Sequence, residues 1–140
     1  MEKSNQTLTL IKPYAVEHGY VGPILARINK AGFRITALKY LHLSLEQAET
    51  FYEIHRGKNF FERLTRFMAS GPIVVAILEK ENAVEDYRKL IGATDPRKAG
   101  EGTLRKLFGA SVVSNAVHGS DSDQNAIREC NFFFSSLERF

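Results

Sequence analysis

One cysteine, Cys130, and no tryptophan stand in a chain of 140 residues, and the first shortage removes a whole class of small folds. No disulfide framework can form within the chain, and one thiolate cannot assemble a metal site by itself. A reducing compartment suits such a sequence. Long apolar runs are missing too. The longest, Ile73–Leu78, is far short of the ~20 residues a membrane-spanning helix needs. The opening Met1–Gln6 is polar rather than leader-like, so the expectation is a soluble, untargeted, cytoplasmic protein.

Excess charge of one sign is also lacking. Lys and Arg number 19 against 16 Asp and Glu, which leaves +3 and a pI of about 9.1. That is too little to demand nucleic acid, yet it is compatible with an anionic ligand. Neither phosphate-binding glycine loop is present. Gly57-Lys58 has no upstream glycine and no following Ser or Thr, and Gly100-Glu101-Gly102 lacks the third glycine of a dinucleotide loop. Any phosphate bound here must be held by cationic side chains. Repeats, linkers and low-complexity segments are absent as well.

What the chain does have is 44% hydrophobic residues and ten Phe, enough for one core, so residues 1–140 read as a single domain. Thr7–Ile11 is a short β-prone run stopped by Lys12-Pro13, because proline cannot donate to a ladder. Val21, Ile24, Leu25 and Ile28 then draw one apolar stripe of a helix that Ala31-Gly32 ends. Phe33–Leu41 is β-rich, and Ser44 with Gln47 matches a capping box for a helix running towards His55, broken by Gly57. Phe61, Leu64, Phe67 and Met68 mark another short helix, and Ile73–Leu78 reads as a fully buried, central strand.

Asn82 with Glu85 resembles a second capping box, opening a helix that contains Val84, Tyr87 and Ile91. Gly92–Gly102 is a polar loop, Thr103–Phe108 a turn or two of helix, Ser111–Val117 a fourth strand, and Asp121–Cys130 a helix with acids at its start. Two successive βαβ units in so short a chain predict an α+β fold. The arrangement is the ferredoxin-like βαββαβ, a four-stranded antiparallel sheet with helices packed on one face.

Reactive side chains are densest at Asn115–Asp123, where a strand should give way to a helix. Imidazole is a competent nucleophile towards phosphorus when a neighbouring acceptor fixes its tautomer and stabilises the charge it acquires. His118 is the candidate, with Ser120 and Glu129 available to orient it, although a turn histidine beside glycine explains the same local pattern. Phosphoryl transfer needs cations around the equatorial oxygens. Lys12, Arg88 and Arg105 each fall near an expected strand end, on a helix or just past the glycine loop, and each taken alone reads equally as a solvated surface charge. Phe60 reads as either a platform on which any base stacks or a core residue like Phe61. Tyr52 and Thr94 offer hydroxyls to the imidazole or to a phosphate, or are a helix-face tyrosine and a turn threonine.

The run Asn115–Ser122, NAVHGSDS, resembles the signature of the nucleoside diphosphate kinases. The likeness continues through Thr9-Leu10-Ile11-Lys12-Pro13, Ser70-Gly71-Pro72, Gly102-Thr103-Leu104-Arg105 and Asn131-Phe132-Phe133, which is most of the chain. The resemblance implies that His118 takes the γ-phosphate of a nucleoside triphosphate, mainly ATP, and passes it to a nucleoside diphosphate in a ping-pong reaction with broad base and sugar tolerance. It implies Lys12, Arg88, Thr94, Arg105 and Asn115 around the phosphates and sugar, and Tyr52 and Glu129 beside the histidine. Phe60 then lies against the base, with Leu64 and Val112 lining the other side. Mg²⁺ is implied as the cofactor, held mostly by the nucleotide phosphates, with Asp121 as a neighbour through water. A homo-oligomer, a hexamer or a tetramer of dimers, is implied as well. One departure is visible: Tyr14 follows Pro13 where many members have Asp.

Two rival readings remain. An RNA-binding module shares the ferredoxin-like fold and a basic pI, but no strand here carries the Lys/Arg-Gly-Phe-x-Phe signature. A catalytically silent family member, acting as a scaffold or nucleic-acid-binding protein, is the nearer alternative, since a fold does not prove turnover. The joint presence of His118, Lys12, Arg105, Asn115 and Glu129 argues against it.

Overall fold

A computed structural model describes residues 5–140; the polar opening residues 1–4 lie outside the described part. Four strands, β1 (Gln6–Ile11), β2 (Arg34–Leu41), β3 (Ile73–Glu79) and β4 (Val117–Gly119), form one sheet in the order β2-β3-β1-β4. Every pairing is antiparallel, so the expected ferredoxin-like topology is what the chain adopts. Among the described residues seven α-helices fill the connections and the end of the chain: α1 (Pro13–Glu17), α2 (Val21–Lys30), α3 (Leu45–Phe51), α4 (Phe61–Met68), α5 (Ala83–Ile91), α6 (Leu104–Phe108) and α7 (Asp123–Phe133).

The helices do not keep to one face. Side chains of a strand point alternately to its two sides. On β3, Ile73, Val75 and Ile77 join a core with Phe51, Phe61, Cys130 and Phe133, whereas Val74, Ala76 and Leu78 join another with Ile24, Ile28, Tyr87 and Ile91. Thus α3, α4 and α7 cover one face, and α2 and α5 the other. The expectation of a single covered face fails for a reason written in β3 itself. A strand that is apolar at consecutive positions needs a partner layer on both sides.

Local signals succeed where the chemistry is local. The Ser44 box closes as expected, with the Gln47 amide donating to the Ser44 hydroxyl at 3.0 Å and the Ser44 amide to Gln47 Oε1 at 2.9 Å. Its helix nevertheless ends at Phe51, and Glu53–His55 is a separate 3₁₀ turn. The second box does not form. Asn82 sits in the left-handed region at φ 58°, and its side-chain amide donates to the Glu85 carboxylate rather than its side chain capping α5. Proline at its first position lets α1 begin directly after Lys12, a helix the sequence reading did not resolve.

The fourth strand is displaced from Ser111–Val117 to Val117–Gly119. Ser111 to Ser114 instead folds into a turn, with the Ser114 amide donating to the Ser111 hydroxyl at 3.1 Å and the Ala110 amide to the Ser114 carbonyl at 2.8 Å. Serine side chains that bond nearby backbone compete with ladder formation, and here they win.

Candidate active site

β4 is short, but its register fixes the centre of the site. Leu10 lies opposite His118, with Ile11 opposite Val117 and Thr9 opposite Gly119. Val117 and Gly119 point towards α5, so His118 points to the other side, where Phe51 and Tyr52 present their rings edge-on at 5.6 and 6.3 Å between centroids. Ala116, just before the strand, holds φ at 76°, a conformation that costs a residue with a Cβ roughly 1–3 kcal/mol. The bend is used. The Ala116 carbonyl accepts from the Lys12 amide at 2.8 Å and the Asn115 carbonyl from the Val117 amide at 3.0 Å, so Lys12, Asn115 and His118 are drawn to one place.

Glu129 reaches that place from the far side. Ser122 caps α7 by accepting from the Asn125 amide, and the buried Glu129 accepts at Oε1 from His118 Nε2 at 2.9 Å and from the Ser120 hydroxyl at 2.7 Å. Burial pushes the Glu129 carboxyl up, but the hydrogen bond and charge of His118, then Ser120 and Arg128, outweigh it and hold the group below its ordinary value. An ionised carboxylate only accepts, so His118 Nε2 carries the proton. Nδ1 is the nitrogen left with a lone pair, and no group among the described residues bonds it.

These side chains open on a cavity of about 380 Å³. Every candidate residue lines it except Ser120, which stands behind Glu129. Lys12 is buried at the end of β1, and desolvation, then the charge of Arg105, lower its ammonium from 10.5 to about 7. Arg105 is anchored by the Gly92 and Val117 carbonyls, each 3.0 Å from its guanidinium, and burial lowers it to about 10. Asn115 donates to the Thr94 carbonyl at 3.1 Å. Among the described residues its Oδ1, the Tyr52 hydroxyl and Arg105 Nε are buried without a partner, an expensive state that suits groups waiting for a polar ligand. Desolvation, then the Glu129 charge, push the Tyr52 hydroxyl up, so it remains a neutral donor.

The remaining candidates occupy the cavity mouth. Arg88 and Thr94 are exposed on α5 and on the loop after it. Burial separates the two phenylalanines the sequence could not: Phe61 is core, whereas Phe60 is 37% exposed in the cavity wall with Leu64 beside it and Val112 also lining the cavity. Asp121 is exposed on the lining, and Asn125, which donates to its Oδ1, holds the carboxyl below its ordinary range. No cluster of three metal-ligating side chains exists among the described residues. The donor set is one exposed carboxylate, Asp121, which fits a hard cation carried chiefly by phosphate oxygens and water.

A family model described as nucleoside diphosphate kinase matches residues 5–139. The chain belongs to the nucleoside diphosphate kinase family. Nucleoside diphosphate kinase of Flavobacterium psychrophilum is 51% identical over 137 residues, covering 98% of this chain and 99% of the relative. The Lawsonia intracellularis enzyme is 53% identical over 133 residues, 95% of this chain and 96% of its own length. Among solved structures, the Aquifex aeolicus nucleoside diphosphate kinase superposes with a TM-score of 0.95 at 43% identity, covering 97% and 99% of the two chains. That of Halobacterium salinarum, solved with CDP, gives 0.91 at 31% identity, covering 99% and 91%. This protein is accordingly a nucleoside diphosphate kinase and not a silent scaffold.

Six lining residues of this nucleoside diphosphate kinase were not among the candidates: Ile54, His55, Arg63, Ile91, Val113 and Gly119. His55 lies on the 3₁₀ turn, whose break from α3 no local pattern announces. Arg63 stands three residues after Phe60, a spacing that shares a helix face and would have placed it. Among the described residues, no helix is long and apolar enough to cross a membrane.

Proposed function

We propose that His118 Nδ1 is the nucleophile of this kinase. Glu129 takes the Nε2 proton in a hydrogen bond, so the Nδ1 lone pair attacks the γ-phosphorus of a nucleoside triphosphate. The bond from that phosphorus to the β-phosphate oxygen breaks, and the diphosphate leaves. Glu129 stabilises the imidazolium charge that forms. A β-phosphate oxygen of the incoming nucleoside diphosphate then attacks the same phosphorus, the phosphorus–nitrogen bond breaks, and the imidazole returns to its resting state. The observation that carries this reading is the 2.9 Å bond from Nε2 to Glu129, because it leaves only the other nitrogen free.

Lys12, Arg105 and Arg88 supply positive charge to the transferred phosphoryl oxygens, with the Arg105 fork held rigid by its two carbonyls. Tyr52 and Asn115 offer the unsatisfied buried atoms, and Thr94 a hydroxyl at the loop. The base stacks on Phe60, with Leu64 and Val112 lining the other side, a contact every base can make. Mg²⁺ would be held chiefly by the nucleotide phosphates, with Asp121 as a neighbour through water, and would supply positive charge to the phosphate oxygens. Residues 1–140 act as one domain. The free, buried Cys130 accords with a reducing cytoplasm. A homo-oligomer, hexamer or tetramer of dimers, accords with the edge strand β2, where Leu38 and Tyr40 are exposed.

The test is to mix the protein with ATP labelled on its γ-phosphate and Mg²⁺, then to add unlabelled GDP. Acid-labile label should appear on the protein and leave as GTP, and His118→Ala should take no label while keeping its fold. Label on the His118→Ala protein would overturn the assignment.

A further inference from the structure

Among the described residues, Arg63 is the one Lys or Arg of the cavity wall to which the proposed phosphate chemistry gives no task. It lies on α4, three residues after Phe60 and directly before Leu64, and the Leu64 amide donates to the Phe60 carbonyl at 2.9 Å, so the turn carrying all three is helical. Residues three apart share a helix face. Arg63 therefore stands over the same part of the cleft as the aromatic platform. It also borders a second depression outside the cleft, which Val112, Val113 and Arg97 help to line. Its place is thus the outer rim at the platform, while the reactive end holds His118, Lys12 and Arg105. Among the described residues, Arg63 has neither a hydrogen bond nor an ion pair, so its guanidinium is available.

We infer that Arg63 is a specificity-determining residue that tilts this kinase towards guanine nucleotides. The inference rests on the stacking of the base at Phe60 proposed above. A purine stacked there with its phosphates towards His118 presents its six-position to the rim, because that substituent is remote from the sugar. A guanidinium offers two parallel N–H donors. Guanine answers with two adjacent acceptors, O6 and N7, whereas adenine sets an amino donor beside its single acceptor and opposes the second N–H. Stacking by itself ranks bases weakly, so even one fork at the rim decides the order. Arg63 is exposed, which keeps the preference near the lower end of what such a pair gives, roughly five- to tenfold.

The experiment uses the phosphorylated full-length protein, prepared with ATP and freed of nucleotide, and follows its single-turnover discharge by GDP, IDP, ADP and 7-deaza-GDP. IDP keeps O6 and N7 but lacks the 2-amino group, and 7-deaza-GDP loses N7 alone. GDP and IDP should discharge the protein about five- to tenfold more efficiently than ADP, with 7-deaza-GDP between them. In Arg63→Leu the four efficiencies should converge, through a weaker apparent affinity for GDP and IDP rather than a slower limiting rate. Arg63→Lys, which keeps the charge and loses the fork, should also lose most of the preference. A GDP to ADP ratio unchanged in Arg63→Leu overturns the inference and leaves the His118 mechanism standing. A wild-type protein that takes no phosphate from ATP overturns both.

Discussion

Ser120 and His118 share a single oxygen: Oε1 of Glu129 accepts from the Ser120 hydroxyl at 2.7 Å and from His118 Nε2 at 2.9 Å. The Ser120 oxygen in turn accepts from the Leu8 amide at 3.2 Å, which ties the orienting carboxylate to the central strand. Ser120→Ala strands the Leu8 amide and frees Glu129 on one side. It should cost about 1–3 kcal/mol of stability and slow phosphoenzyme formation by roughly tenfold, read by denaturant midpoint and rapid-quench labelling. Glu129→Gln should slow labelling further, by about a hundredfold. Because the Glu129 carboxyl lies below its ordinary value when folded, its contribution is present above about pH 4.3 and fades as pH falls through the lower folded value. The stability deficit of Glu129→Gln should therefore shrink on acidification below the ordinary carboxylate range.

Lys12 places the opposite stress on the fold. Its ammonium is lowered from 10.5 to about 7 by burial and by Arg105. Below pH 7 the lysine is charged in both folded and unfolded chains, and the folded state bears the full desolvation cost. Between about 7 and 10.5 the unfolded chain holds the proton more tightly, so stability rises with pH across that window. Lys12→Met should stabilise the protein by on the order of 1–3 kcal/mol at pH 6 and by much less at pH 10, while transfer activity collapses. Urea midpoints of the two proteins at both pH values decide it. An equal gap at pH 6 and 10 would contradict the assignment.

Arg105 is held at both ends of its fork, by the Gly92 and Val117 carbonyls. Lysine cannot reproduce two directed contacts with one ammonium. Arg105→Lys should lower kcat/KM by about ten- to a hundredfold with a loss of stability near 1 kcal/mol. Steady-state kinetics beside a melting curve separate this from simple unfolding.

Gly119 follows His118 with no room for a side chain. A Cβ there would lie 2.9 Å from Tyr87 Cδ2 and 3.1 Å from Ile91 Cδ1. The Tyr87 ring cannot yield easily, being hydrogen-bonded to Thr9 at 2.6 Å and packed edge-on against Phe33. Gly119→Ala should cost about 1–3 kcal/mol by overpacking and should slow labelling by shifting β4, visible as a lower melting temperature and a reduced labelling rate. Gly22→Ala, with open space around its position, is the control that should leave both unchanged.

Much of the fold was legible because its causes are short-range. The Ser44 capping box, the apolar stripe from Val21 to Ile28 and the consecutive apolar residues of β3 act within a few positions, and each appears where the pattern puts it. Two of the errors share an origin, a choice between two local possibilities made by distant contacts. Ser111–Val117 is β-prone in isolation, yet only residues from Val117 onward find β1 to pair with. Asn82 could cap α5, but it takes a left-handed conformation and its amide meets Asn5.

The sequence by itself determined that this chain carries an imidazole, a carboxylate and a set of cations in an order recognisable as a nucleoside diphosphate kinase, because residue types and their spacing along the chain are written there. Tertiary structure alone decided which nitrogen of His118 is free, that Phe60 and not Phe61 faces the cavity, and that Lys12 is buried beside Arg105. Those outcomes depend on groups brought together from α7, α6 and β1, up to about a hundred positions apart, and a tautomer, a burial or a lowered pKa exists only once the neighbours are in place.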